Sequence, residues 1–356
     1  MIDPQSRSLE WIEQASDLIP NIADNALVEK AIRALSLLES LVRSGCPFIF
    51  KGGTALMLHL GTSRRLSIDV DIVCPPGTDI REYLGKYGNE YGFTEIKEIE
   101  RNSRTGVPKS HAEYRYVVTC PSGRPVDKIL LDVLYEDIHY SEVVSIPIES
   151  PLLKQIGAPT IVQCPSLKDM LGDKLTAFAP HTTGIPFYKN EDECFMEIMK
   201  QLYDVSSIID RINDLTEVRK TYSEIVPIEL GYRRMDDLTE SDVLTDTYNC
   251  AMNICYRGAI NKTEFGYYAD GARRVNSFII PENYNVDIAI RDAAKVAYLV
   301  RMIQTGCNQV KHYAPKMDEE LATALIQNQH LNKLNRIKKI SLEAFFYLLE
   351  IEKIAE

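Results

Sequence analysis

KGGTALMLHLGTSRRLSIDVDIV, residues 51–73, holds two kinds of order in one short run. Its first half places Gly52, Gly53 and Thr54 after an apolar stretch and before a helix-like segment that stops at Gly61. Glycines let backbone N–H groups approach a phosphate without a Cβ in the way, and a helix N-terminus carries partial positive charge. The second half, LSIDVDIV (66–73), alternates apolar and polar residues, which is strand periodicity. Ser67, Asp69 and Asp71 then share one face, while Ile68, Val70 and Ile72 face the other way. Two carboxylates side by side repel, and removing them from water is costly unless a cation neutralises them. Magnesium meets that need with hard oxygen ligands and keeps positions open for water and phosphate. A lone D-x-D also describes a solvated strand; the G-G-T turn sixteen residues upstream of Asp69 gives it weight.

Reading outward, KILLDVLYE (128–136) is a second apolar strand, and it carries Asp132 in its middle. A carboxylate there is costly unless paired or metal-bound. If this strand lies beside 66–73, Asp132 completes a three-carboxylate cluster. Such a cluster beside a glycine turn fits two-metal phosphoryl or nucleotidyl transfer. Further strands are expected at 46–50 and 113–120, and helix over 1–44 and after a turn within 75–92. Residues 46 to about 150 thus read as an α/β unit with a mixed sheet. From about 165 the chain turns helical, over 166–179, 192–210, 287–304, 318–337 and 341–354. Residues 257–286 read as a long irregular connection. Lys174 shares a helix face with Leu167, Met170 and Leu171, so it either snorkels to water or addresses an anion.

The bulk properties set limits. At 356 residues and 45% hydrophobic, the chain can bury a real core and divide into two domains. No run of eighteen apolar residues suggests a membrane span, and the N-terminus does not read as a signal peptide, so a cytoplasmic protein is expected. The eight cysteines include no C-x-x-C and read as free thiols; Cys250 and Cys255 lack zinc-finger spacing. The six histidines show no ligand spacing and receive no role. A net charge of −11 leaves nucleic-acid contact to local basic patches at Arg64-Arg65, Arg273-Arg274 and 331–339, each of which also reads as a solvated surface.

The same residues resemble the signature of the AbiEii/AbiGii toxin family, a branch of the polymerase β-like nucleotidyltransferases. Its pattern is G-G-(S/T)-x-A-L followed by R-x-S-x-D-(I/V/L)-D, here Gly52, Gly53, Thr54, Ala55 and Leu56, then Arg65, Ser67, Asp69 and Asp71. The family's lysine in an E-K-L-x-A context resembles Asp173-Lys174-Leu175-Thr176-Ala177, with Asp for Glu. A later K-x-x-x-D helix resembles Lys200 to Asp204, without the usual R-D pair. The resemblance implies an α+β fold: a polymerase β-like nucleotidyltransferase domain with a mixed sheet over 1–155, then a mainly helical domain over 156–356. It implies Asp69, Asp71 and Asp132 as ligands of two magnesium ions. Gly52, Gly53, Thr54, Arg65, Ser67 and Lys174 would hold a nucleoside triphosphate, and Lys174 and Asp204 would join the catalytic set. It further implies a toxin–antitoxin or phage-defence toxin that transfers a nucleotide to RNA, such as a tRNA 3′ end, with a separately encoded antitoxin as partner. The alternative is transfer to a small-molecule or protein hydroxyl.

Overall fold

The computed structural model describes residues 1–19, 21–22, 24–61, 64–99, 108–121 and 123–355; Thr62 and Ser63 of the 51–73 stretch lie outside them. The fold is α+β. The chain divides into two compact units, one of residues 1–166 with 277–283, the other of 167–276 with 284–356. Among the described residues no helix is long and apolar enough to cross a membrane.

In the first unit, helices α1 (Leu9–Asp17) and α2 (Asn25–Ser44) precede the sheet. The Asp24 carboxylate caps α2 by accepting the Ala26 N–H, and Gly45 ends it at φ 79° in the left-handed region. Buried α2 side chains include Val28, Ala31, Ile32, Leu35 and Leu38, each large one stabilising the unit by about 1.5–3 kcal/mol. Next come β1 (Ile49–Lys51), α3 (Gly52–Leu60), β2 (Val70–Cys74), α4 (Arg81–Leu84), β3 (Phe93–Ile99), β4 (Lys109–Val117) and β5 (Val126–Tyr135). The sheet order is β1-β2-β5-β4-β3, with β2 and β5 parallel and the other neighbours antiparallel. A hairpin of β6 (Val143–Pro147) and β7 (Ile161–Pro165) closes the unit.

In this unit β3, β6 and β7 lie outside the strands expected from sequence, and two expected segments take another form. Strand β2 begins at Val70, because residues 64–66 are bonded elsewhere. Leu66 N–H donates to the Phe278 carbonyl at 2.9 Å and Ile280 N–H to the Arg64 carbonyl at 3.0 Å. The segment 75–92 holds only the short α4, since Gly85, Gly88 and Gly92 interrupt it, the last at φ 78°.

The second unit holds α5 (Leu167–Ala177), a hairpin of β8 (Tyr188–Lys189) with β9 (Asp192–Glu193), and α6 (Phe195–Ile209). Helices α7 (Thr216–Tyr232), α8 (Glu240–Cys255), α9 (Lys262–Val275), α10 (Val286–Thr305), α11 (Asp318–Thr323) and α12 (Leu342–Ala355) follow. The supposed irregular connection therefore contains α9, capped by Asn261. Helices α7 and α8 escaped the sequence reading, although Thr239 and Asp242 form a capping box. The helix expected over 318–337 stops at Thr323, and a 3-10 turn takes Asn332–Lys339. The Asn335 amide bonds both backbone groups of Ile326, and Glu352 accepts the N–H groups of Gln327 and Asn328, so side chains replace the helical ladder.

Candidate active site

Strand register assembles the site. Lys51 of β1 pairs with Asp71 of β2, Asp71 pairs with Asp132 of β5, and Asp132 pairs with His111 of β4. Residues paired across a sheet project to the same side, so these four form one row across four strands. Adjacent strands run about 4.8 Å apart, which puts the two carboxylates within reach of a shared cation. The Asp132 side chain is 45% exposed, and one of its oxygens bonds Nδ1 of His111. Asp69 is exposed and lies one residue before β2, on the approach to this row.

The glycine turn packs directly against this cluster. Gly52 has φ 79°, and a Cβ built on it would stand 2.1 Å from Asp71 Oδ2. Only glycine meets both conditions without strain. A Cβ on Gly53 would stand 2.6 Å from Arg65 Nη2 and 2.8 Å from Ser67 Oγ, so both side chains lie over the start of α3. Arg65 and Ser67 are buried, and Arg65 Nη1 donates to the Leu66 carbonyl at 3.0 Å. Thr54 is fully buried, and its hydroxyl donates to the Asp69 carbonyl, tying the helix to the carboxylate segment. The N-cap residue of α3, Lys51, makes no side-chain cap hydrogen bond to the helix.

In the second unit, the Lys174 ammonium on α5 pairs with Asp204 Oδ2 on α6 at 2.9 Å and donates to Gln201 Oε1 at 3.0 Å. Asp204 is 1% exposed and Lys174 11%, so the pair is largely removed from water. Gln201 and Asp204 lie three residues apart on one helix face.

The structure thus brings Gly52, Gly53, Thr54, Arg65, Ser67, Asp69, Asp71 and Asp132 together in one unit, and Lys174 with Asp204 in the other. Sequence reasoning missed His111, Lys51 and Gln201. The signal for His111 is the β4–β5 register, which no local pattern carries. Two of the basic patches are engaged internally. Arg273 and Arg274 pair with Asp270 and Glu193. Arg336 and Lys338 donate to the backbone carbonyls of Tyr256, Ala322 and Ala324.

The sequence family described as nucleotidyl transferase AbiEii toxin, type IV TA system, matches residues 33–241, more than half of the chain. The crystal structure of JHP933 from Helicobacter pylori is 12% identical with a TM-score of 0.43, over 78% of this chain and 94% of that one. A Helicobacter pylori protein assigned provisionally as a nucleotidyltransferase is 14% identical, also at 0.43, over 80% and 97%. No curated protein matches the sequence. The extent of the family match makes this chain a member of the AbiEii family, a nucleotidyltransferase toxin of a type IV toxin–antitoxin system.

Proposed function

We propose that this enzyme transfers a nucleoside monophosphate from a nucleoside triphosphate to an RNA acceptor at the tRNA 3′ end. Asp69, Asp71 and Asp132 would hold magnesium. The observation that carries the reading is the pairing of Asp71 with Asp132 beside the Gly52 turn. The donor set fits: every candidate ligand is a carboxylate oxygen, and Asp132 keeps one oxygen beyond its contact with His111. When bound, two such ions lower the pKa of the attacking hydroxyl and stabilise the charge that develops on the α-phosphate.

The chain's own groups have separate tasks. The α3 N-terminus offers backbone N–H donors to phosphate, beside the Arg65 guanidinium and the Ser67 hydroxyl. Thr54 acts by fixing Asp69 through its backbone. In the second unit Lys174, oriented by Asp204 and Gln201, is the cation that the family resemblance implies for catalysis. The antitoxin is a separate protein that neutralises the activity.

A second reading, transfer to a small-molecule hydroxyl, draws support from the net charge of −11 and from the Arg273-Arg274 patch, which is already ion-paired. Purified protein incubated with each labelled nucleoside triphosphate, magnesium and total RNA separates the two. Label recovered at tRNA 3′ ends supports RNA transfer, whereas label only in small molecules overturns it.

A further inference from the structure

Helix α8 presents Asp246 and Cys250 four residues apart, and the loop after α5 brings His181 to them from 65 positions upstream in sequence. Three potential ligand atoms converge. His181 Nδ1 lies 2.7 Å from Asp246 Oδ1, and Cys250 Sγ lies 3.4 Å from that oxygen and 3.8 Å from that nitrogen. We propose that His181, Asp246 and Cys250 form a binding site for a zinc-type divalent ion, apart from the carboxylate cluster.

The geometry is close to what such an ion needs. Tetrahedral bonds of zinc length place N, O and S ligand atoms about 3.3–3.6 Å apart. Of the two edges that include sulfur, that of 3.4 Å lies inside this range and that of 3.8 Å about 0.2 Å above it, and the His181–Asp246 edge must open by about 0.6 Å.

The surroundings orient each ligand. His181 Nε2 faces Glu264 Oε1 at 3.2 Å, the carboxylate–histidine arrangement that leaves the other ring nitrogen for a metal. Asn261 in turn holds Glu264 at 2.7 Å. Asp246 Oδ2 accepts from the His181 backbone N–H and the Thr182 hydroxyl, both at 2.9 Å, which turns Oδ1 toward the other two ligands. The buried Tyr268 hydroxyl lies close enough to Cys250 to interact with its sulfur, without a hydrogen bond of ordinary geometry among the described residues. A thiolate at Cys250 would accept from it. A neutral thiol, which already donates to Asp246, answers that need poorly.

Burial pushes the Cys250 thiol well up, so the thiolate exists only with a cation beside it. Binding releases two protons, one from Cys250 Sγ and one from His181 Nδ1, which otherwise donates to Asp246 Oδ1, and leaves the remaining ring proton on Nε2 toward Glu264. The fourth coordination position is left for water, and His181, half exposed, marks the route in.

The test uses the full chain stripped by a chelator and titrated with Zn²⁺, or with Co²⁺ as a spectroscopic probe. One ion per chain, a thiolate-to-cobalt charge-transfer band and a raised melting temperature are expected. Cys250→Ser should abolish the band, and His181→Gln should weaken binding more than about 100-fold, whereas Glu264→Gln should weaken it about 10–100-fold. Cys307→Ser, at an exposed cysteine, should change nothing. Absence of binding, or binding that survives His181→Gln unchanged, overturns the proposal. If Cys250→Ser does not fold, the His181→Gln titration decides.

Discussion

Gly52→Ala tests how tightly the glycine turn and the metal carboxylate are built around each other. Two terms act on the alanine. At φ 79° a Cβ costs about 1–2 kcal/mol in backbone strain. The same Cβ lies 2.1 Å from Asp71 Oδ2, so the carboxylate must move by more than an ångström or the turn must deform. Forcing atoms into an occupied site costs about 1–3 kcal/mol more. Gly45→Ala isolates the first term, since Gly45 has φ 79° and a Cβ added there would meet nothing within 4 Å. We expect Gly45→Ala to lower unfolding stability in urea by about 1–2 kcal/mol and to leave nucleotide transfer intact. Gly52→Ala should cost about 2–5 kcal/mol if Asp71 holds its place. If Asp71 swings away instead, the stability loss approaches that of Gly45→Ala and transfer collapses. Equal stability losses together with full transfer by Gly52→Ala would refute the packing of Gly52 on Asp71.

Asp71→Asn and Asp132→Asn should each abolish magnesium-dependent transfer with little change in melting temperature, because losing a like-charge neighbour relieves repulsion; near wild-type turnover in either would sink the metal assignment. His111→Gln should raise the magnesium needed for half-maximal rate by about 10–100-fold, as expected when a group that orients a ligand is lost, and an unchanged magnesium titration argues against that role. Lys174→Met should destabilise the protein by about 3–5 kcal/mol, since it takes the ammonium away from the buried Asp204 carboxylate, and should cut turnover. The double variant Lys174→Met with Asp204→Leu should recover most of that stability but none of the activity; recovery of both would make the pair structural only. Thr54→Val removes the donor to the Asp69 carbonyl at nearly constant volume, so it should cost about 1–3 kcal/mol and lower turnover, read by calorimetry beside a rate assay.

Residue order alone reveals the parts of this protein whose signals are local. Alternation at Val70–Ile72, the G-G-T turn, and the apolar strand around Asp132 depend on neighbours within a few positions, so periodicity and turn chemistry exposed them. The same locality explains the misreadings. Glu352 takes the N–H groups of Gln327 and Asn328 from outside the window 318–337, and Asn335 bonds Ile326 nine positions away, beyond the reach of helical periodicity. Tertiary structure alone decided which side chains meet. The parallel pairing of β2 with β5 put Asp71 against Asp132, and the β4 register put His111 on that carboxylate. Segment 278–280 returned to bond Arg64 and Leu66, flanking the arginine that lies over Gly53. His181 reached Asp246 and Cys250 in the same way, across a sequence gap that no motif spacing spans. Register and chain return are settled by burying whole faces together, a cooperative energy spread over many residues, so they leave no mark at the positions they join.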